Sequence, residues 1–189
     1  IEKRPYFRAT VMKTPLLRAW ILGGLILFMD QWTKGLVVAH LELGEQREWV
    51  EGFFRLVYWG NTGAAWSMFR GNNYLLAGVA MVALLLLHSV RNQFDVHLLK
   101  GQVALGLMFG GIVGNLVDRF RYGHVVDFIY FFTYRHGGGE IGFPAFNLAD
   151  SAICVGVFGL FLISLQKDAQ ARKAHALRLH QPPSSDDAS

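Results

Sequence analysis

Four long apolar blocks constrain this chain more than any other feature of its sequence. They lie at about Leu16–Val38, Tyr74–Val90, Gly101–Leu116 and Phe146–Leu165. A helix that crosses a bilayer needs about 20 mainly apolar residues, with a usual range of about 17–25. Each block therefore predicts one spanning helix, with a residue or two left open at each end of the two shorter blocks, Tyr74–Val90 and Gly101–Leu116. Of the 189 residues, 52% are hydrophobic and only 17% are charged, which favours a single membrane domain over a soluble core.

The lysines and arginines are distributed unevenly between the two ends of these blocks. Eleven lie in the N-terminal segment, between the second and third blocks, or in the tail, whereas six are spread over the longer loops on the other side. The positive-inside rule then predicts that both termini are cytoplasmic. The formal charge of +4 reflects this orientation, and no basic stripe interleaved with aromatic residues indicates nucleic-acid binding.

The two outer loops are rich in aromatic and β-branched residues. Residues 49–59 and 125–132 predict short strands of a small sheet at the membrane surface. The predicted fold class is therefore an all-α membrane protein, a four-transmembrane-helix bundle with a small extracytoplasmic β-rich subdomain. Its predicted parts are a cytoplasmic segment at 1–15, the helical domain at 16–165 with outer loops at about 39–73 and 119–145, and a cytoplasmic tail at 166–189.

Ionisable side chains inside spanning helices are costly unless they are paired or face water. Asp30 and Lys34 are four residues apart on the first helix, in the order that favours an ion pair. We expect this pair to orient the helix, with a direct chemical role as the alternative. Asn115, Asp118 and Arg119 share a face at the outer end of the third helix, where the amide indicates a polar cavity.

Two further carboxylates, Asp127 and Asp150, lie in apolar surroundings at the same predicted membrane depth, with Asn147 one turn before Asp150. Two adjacent carboxyl groups share a proton because both cannot ionise cheaply. One can then accept a proton from water while the other donates to a substrate carbonyl. This pattern predicts an aspartyl peptidase site, whose chemistry needs neither a metal nor a covalent intermediate.

Other functions remain possible at this point. The carboxylates could relay protons in a transporter or channel component, or they could fix helix packing in a small assembly factor. The histidines show no His-Glu-x-x-His spacing for zinc, so no metal or other cofactor is expected. Cys154, the only cysteine, is expected to be a buried packing residue.

Five ordered motifs resemble those of the lipoprotein signal peptidases, the signal peptidase II family. They span roughly residues 16–165 and fall at the predicted helix ends. The motifs are Asp30-Gln-Trp-Thr-Lys34, Asn61-Thr-Gly-Ala-Ala65, Gly110-Gly-Ile-Val-Gly-Asn115-Leu-Val-Asp118-Arg119, Val125-Val-Asp127-Phe-Ile129 and Phe146-Asn147-Leu-Ala-Asp150.

The resemblance implies an aspartyl endopeptidase of the bacterial inner membrane. Such enzymes cut the signal peptide from prolipoproteins before a cysteine that carries diacylglycerol, and the peptide antibiotic globomycin would block them. A monomer in the phospholipid bilayer is expected. The implied roles are catalysis by Asp127 and Asp150, substrate or inhibitor binding by Asn61, Asn115, Arg119 and Asn147, and support by Asp30, Lys34 and Asp118. The segment 135–142, with three consecutive glycines, departs from the family pattern.

Overall fold

The computed structural model describes residues 16–63 and 71–179 of the chain. The predicted cytoplasmic segment 1–15 and the end of the tail, residues 180–189, lie outside these residues. The four predicted helices are present, together with a small antiparallel sheet, which confirms the predicted fold class. The elements are α1 (Leu17–His40), β1 (Gln46–Val50), β2 (Phe54–Asn61), α2 (Asn73–Val90), α3 (Leu99–Tyr122), β3 (Val125–Tyr134), β4 (Glu140–Gly142) and α4 (Leu148–Leu179).

All four helices are long and apolar enough to cross a membrane. Helix α3 is the central one: half of its most apolar window is buried, against 17–28% for the other three helices. The outward surfaces of these three carry exposed Leu, Phe and Val side chains. In water such a surface would be unfavourable, whereas lipid chains solvate it well. Cys154 also lies on this outer surface, so the prediction that it is buried was wrong.

Glycines on α3 allow its neighbours to approach closely. A Cβ atom at Gly106 would lie 2.8 Å from the backbone oxygen of Ala19 on α1, and one at Gly111 would lie 2.5 Å from the backbone oxygen of Ala149 on α4. Both distances are too short for real carbon atoms. The glycines of α3 therefore let α1 and α4 pack closely against it, which brings polar side chains on the three helices together.

The sheet has the strand order β1-β2-β3-β4 and covers one end of the bundle. The stretch 49–59 forms parts of two strands rather than one, because a turn at residues 51–53, with Gly52 at a φ of 68°, folds it into a hairpin. The segment 135–142 likewise contains a turn and the short strand β4. A cluster of apolar side chains joins the sheet to the end of α1: Val37, Leu41, Tyr58, Val126 and Phe128.

The site is placed by the directions of the helices. Helices α1 and α3 end at the sheet, and α2 and α4 begin near it, so motifs that are far apart in sequence meet there. Helix α3 continues six residues beyond the predicted end at Leu116 and is terminated by Gly123, which adopts the left-handed conformation with a φ of 76°. Asn115, Asp118 and Arg119 therefore all lie on the last turns of one continuous helix.

Candidate active site

Asp127 and Asp150 come from different elements that a short backbone contact holds together. Asp127 lies on β3, and Asp150 lies in the first turn of α4. The backbone N–H of Ile129 donates to the carbonyl oxygen of Phe146 at 2.9 Å, and that of Phe146 donates back to Ile129 at 3.1 Å. This bridge fixes the beginning of α4 beside β3. Asp127 is 3% exposed, and Asp150 is half-buried.

Asn147 joins the two aspartates and begins α4. Its side-chain oxygen accepts the backbone N–H of Asp150 at 2.9 Å, and the Asp150 carboxylate accepts the backbone N–H of Asn147 at 3.2 Å. This is the reciprocal capping arrangement of a helix N-terminus. The Asn147 amide nitrogen then donates to Asp127 Oδ1 at 2.8 Å. One residue therefore contacts both carboxylates, and its side chain is fully buried.

Asn61 holds the other oxygen of Asp127. Its amide nitrogen donates to Asp127 Oδ2 at 3.0 Å, while its side-chain oxygen accepts the backbone N–H of Gly63 at 2.9 Å. A backbone N–H can only donate, so this contact fixes which end of the Asn61 amide faces the carboxylate. The motif that begins at Asn61 therefore supplies a turn and an oriented donor, and its last residues, 64 and 65, lie outside the described part of the chain.

Asn115 plays the corresponding role for Asp150. Its amide nitrogen donates to Asp150 Oδ1 at 2.7 Å, and its side-chain oxygen accepts Lys34 Nζ at 2.9 Å. Because the ammonium group is only a donor, Lys34 fixes the orientation of the Asn115 amide. Arg119, one turn further along α3, donates to the backbone oxygens of Asn115 at 3.3 Å and Gly63 at 3.4 Å, and so links α3 to the loop after β2.

Lys34 lies between two carboxylates that are themselves fully buried. Its Nζ is 2.8 Å from Asp30 and 2.7 Å from Asp118. The ion pair predicted from the spacing of Asp30 and Lys34 is thus present, and Asp118 is a second partner. Gln31 donates to Asp118 Oδ1 at 2.8 Å. The attraction within a buried ion pair offsets the cost of desolvating its charges only if hydrogen bonds satisfy the remaining polar atoms. The contacts of Lys34, Asp30 and Asp118 meet this condition.

The two supporting carboxylates also hold the backbone beside each candidate catalytic residue. Asp30 accepts the N–H of Ala149, which precedes Asp150, at 2.9 Å. Asp118 accepts the N–H of Val126, which precedes Asp127, at 3.1 Å. The buried charges of α1 and α3 therefore set where the first turn of α4 and the beginning of β3 lie relative to each other.

The surroundings of Asp127 favour its neutral form. Burial, followed by repulsion from Asp150, raises the pKa of Asp127 from 3.8 to about 7, against the opposing effect of the donors Asn61 and Asn147. A carboxyl group with such a pKa is able to hold a proton at neutral pH and to release it during a reaction. Together with the ionisable neighbour, this is the electrostatic arrangement that general acid–base chemistry requires.

The structure brings together all nine residues predicted for the site. Two contributors were not predicted: Gln31, which also donates to the backbone oxygen of Gly114 at 3.2 Å, and Asn73, whose amide donates to the backbone oxygen of Arg119 at 3.0 Å. Gln31 stands between Asp30 and Trp32 and could have been found as a polar residue on the buried side of α1. Asn73 lies at the beginning of α2, where polar residues are common for other reasons.

Known proteins resemble the chain over most of its length. A family model described as signal peptidase (SPase) II matches residues 22–166. The lipoprotein signal peptidase of Syntrophus aciditrophicus is 37% identical over 166 residues, which covers 84% of this chain and 99% of that relative. The lipoprotein signal peptidase of Geobacillus thermodenitrificans is 40% identical over 145 residues, which covers 76% of this chain and 86% of that relative.

A solved structure resembles the fold as well. It is described as a bacterial membrane enzyme, is 29% identical in sequence, and superimposes with a TM-score of 0.69. The match covers 88% of this chain and 94% of the solved chain. The likeness therefore extends over the helices and the sheet that together build the site.

Proposed function

Since the chain belongs to the signal peptidase II family and is therefore a membrane peptidase, we propose that Asp127 and Asp150 form its catalytic dyad. The proposed reaction removes the signal peptide from diacylglyceryl-modified prolipoproteins by cutting before the lipidated cysteine. Family membership confirms the peptidase prediction over the transporter and the assembly factor. The dyad itself is supported chiefly by one observation, the contact of both carboxylates with Asn147.

In the proposed mechanism the two aspartates divide the proton transfers. Asp127 holds the shared proton in the resting enzyme, consistent with its raised pKa. Asp150 is the ionised partner, because it lies at the N-terminus of α4 and accepts N–H groups from Asn115 and Asn147. Asp150 takes a proton from the attacking water while Asp127 donates to the carbonyl oxygen of the scissile peptide.

The intermediate then collapses with a proton passed to the leaving amine, and the dyad regains its starting protonation. No covalent bond forms between the enzyme and the peptide. The low-dielectric surroundings of the buried carboxylates strengthen each of these electrostatic interactions relative to water.

Three side chains are proposed to hold the peptide beside the dyad. Asn61 and Asn115 already orient one carboxylate each, and Arg119 lies on the same turns of α3. The Nε atom of Arg119 is buried and has no hydrogen-bond partner among the described residues. A buried donor without a partner is costly, so a peptide carbonyl that enters the site would offset this cost. Asn147 completes the proposed binding set through its contact with Asp127.

The position of the site suits a substrate that is anchored in lipid. Both aspartates lie where the helices meet the sheet, so a peptide could reach them while its diacylglyceryl chains stay in the bilayer. From the charge distribution we propose that this end is extracytoplasmic, that both termini are cytoplasmic, and that the enzyme resides in the bacterial inner membrane. We further propose that it acts as a monomer and that globomycin blocks the site.

The proposal is tested by replacing each aspartate with asparagine, which keeps the shape of the side chain but removes its ability to exchange a proton. Asp127→Asn and Asp150→Asn should each abolish cleavage of a diacylglyceryl-modified prolipoprotein, as followed by the mobility of the product on a gel. Asp95→Asn is the matched control: Asp95 lies at the opposite end of the bundle in a left-handed conformation that asparagine also tolerates.

All three variants should purify as folded proteins with the helical content of the parent. Normal cleavage by either Asp127→Asn or Asp150→Asn would show that the dyad is assigned wrongly. Loss of cleavage in Asp95→Asn as well would show that the assay responds to any lost carboxylate rather than to the dyad.

A further inference from the structure

An apolar cleft opens at the end of the bundle that lies opposite the candidate active site. Its empty volume of about 350 Å³ includes space that is open to the surroundings of the bundle. The start of α1 and the end of α2 form its walls, and α3 forms its floor. Its apolar lining residues are Leu16, Ala19, Trp20, Leu87, Leu105 and Phe109.

The cleft runs from the membrane surface toward the interior. On α3 its lining extends from Leu105 to Phe109, which corresponds to about 6 Å along the helix axis at the helical rise. Trp20 closes the deep end by packing edge-on against Phe109, with ring centroids 4.6 Å apart. The apolar lining therefore suits a short segment of a hydrocarbon chain.

A cation lies at the mouth of this cleft. Arg91 immediately follows α2 and lines the cleft beside His88, whose backbone oxygen it contacts. Its Nε atom is buried and has no hydrogen-bond partner among the described residues. The nearby carboxylate of Asp95 is paired with Lys167 at 2.9 Å. No carboxylate lines the cleft within the described ranges, so the charge of Arg91 is left without a counter-ion there.

We propose that this cleft is a binding site for an anionic phospholipid, with one acyl chain between α1 and α2 and the headgroup phosphate on Arg91. Basic pockets between spanning helices near the membrane surface are the setting in which anionic headgroups bind. A phosphodiester would supply the acceptor that the Nε atom lacks, and a guanidinium binds phosphate in a planar, two-point manner. The negative headgroup would also neutralise the arginine, which a zwitterionic lipid cannot do.

The test uses native mass spectrometry of the full-length protein in detergent, with dioleoyl phosphatidylglycerol and dioleoyl phosphatidylethanolamine added in equal amounts. The parent should retain phosphatidylglycerol about fivefold more than phosphatidylethanolamine, as expected for one arginine near the surface. Arg91→Gln should abolish this preference. The matched control Arg172→Gln removes an exposed cation from the extension of α4 and should keep it.

A second variant tests the acyl-chain half of the site without changing any charge. Leu16→Trp places a bulky ring in the cleft and should reduce retention of both lipids. Equal retention of the two lipids by the parent would overturn the proposal, as would a preference that survives Arg91→Gln or is lost equally in Arg172→Gln. If Arg91→Gln does not fold, unchanged retention by Leu16→Trp overturns the proposed cleft and reduced retention supports it. None of these outcomes depends on the assignment of the catalytic dyad.

Discussion

Replacing Lys34 by methionine removes the cation that Asp30 and Asp118 share and keeps most of the side-chain volume. In the parent, Lys34 Nζ lies 2.8 Å and 2.7 Å from the two carboxylates and 2.9 Å from the side-chain oxygen of Asn115. All three side chains of the charged triad are at most 1% exposed. Solvent therefore cannot replace the lost ammonium group.

The size of the effect follows from these distances. At these distances Coulomb's law gives about 6 kcal/mol for each contact at an effective dielectric constant of about 20, and part of this is offset because the lysine no longer has to be desolvated. Removing one partner of a buried ion pair typically costs about 3–5 kcal/mol, since an uncompensated charge remains. We expect Lys34→Met to lower the free energy of unfolding by that amount.

The assay is unfolding by sodium dodecyl sulfate in mixed micelles, followed by tryptophan fluorescence. Lys167→Met is the matched control, because Lys167 also has a carboxylate partner, Asp95, at 2.9 Å, but is 40% exposed. An exposed pair of this kind contributes about 0–1 kcal/mol. The same chemical substitution should therefore have a much smaller effect at the exposed position.

A second variant separates lost charge balance from lost packing. Lys34→Met combined with Asp118→Asn removes one positive and one negative charge, so it should recover a substantial part of the lost stability. Folded Lys34→Met protein should also cleave its substrate more slowly, because Asn115 loses the donor that orients it toward Asp150. Equal effects of Lys34→Met and Lys167→Met, or no recovery in the double variant, would refute the reasoning.

Two further predictions concern packing and pH. Gly114→Ala should lower the free energy of unfolding by about 1–3 kcal/mol and reduce cleavage, because its Cβ atom would lie 2.5 Å from Asp30 Oδ2. The control Gly24→Ala has no atom within 4 Å of its Cβ position, so it should change neither the stability nor the cleavage rate. Burial and Asp150 raise the pKa of Asp127 from 3.8 to about 7, so protonation of Asp127 favours the folded state. The contribution of Asp127 to stability is therefore full below about pH 4 and is lost as the pH rises to about 7. Cleavage should likewise fall about tenfold for each pH unit above about 7, as measured from initial rates.

These two predictions fail in recognisable ways. Equal stability of Gly114→Ala and Gly24→Ala would show that Asp30 moves aside at no cost. A stability profile between pH 4 and pH 7 that is the same in Asp127→Asn and the parent would show that Asp127 does not titrate there. A cleavage rate that stays constant up to pH 9 would contradict a required proton on Asp127.

The sequence predicts the membrane-spanning part of the fold well because length and hydropathy determine it. It predicts the helix ends less well where polar residues of a helix are buried against other parts of the protein. The third apolar block stops at Leu116, yet α3 continues because Asp118 has its partner inside the bundle and Arg119 bonds to the loop after β2. Gly123, in the left-handed conformation, marks the end of α3, and a glycine at this position is a helix-termination signal that can be read from the sequence.

The outer sheet shows the opposite difficulty. Residues 49–59 have the composition of one strand, and only the turn around Gly52 divides them between β1 and β2. Such a turn is a local feature with a weak pattern in a single sequence. The predicted grouping of site residues required no such detail, because helical spacing places Asn115 and Asp118 on one face. The exposure of Cys154 was mispredicted since lipid, unlike water, does not drive a small apolar side chain inward.

The hydrogen bond from Ala149 to Asp30 joins residues that are 119 positions apart. It connects α1 with α4, which are the first and the last of the four spanning helices among the described residues. Asp30, Lys34 and Asp118 are all in place once three segments have entered the membrane, but the carboxylate of Asp30 then still lacks its backbone donor. On the proposed assignment, a growing chain that lacks α4 contains Asp127 but not Asp150, so it should remain inactive until α4 has been inserted.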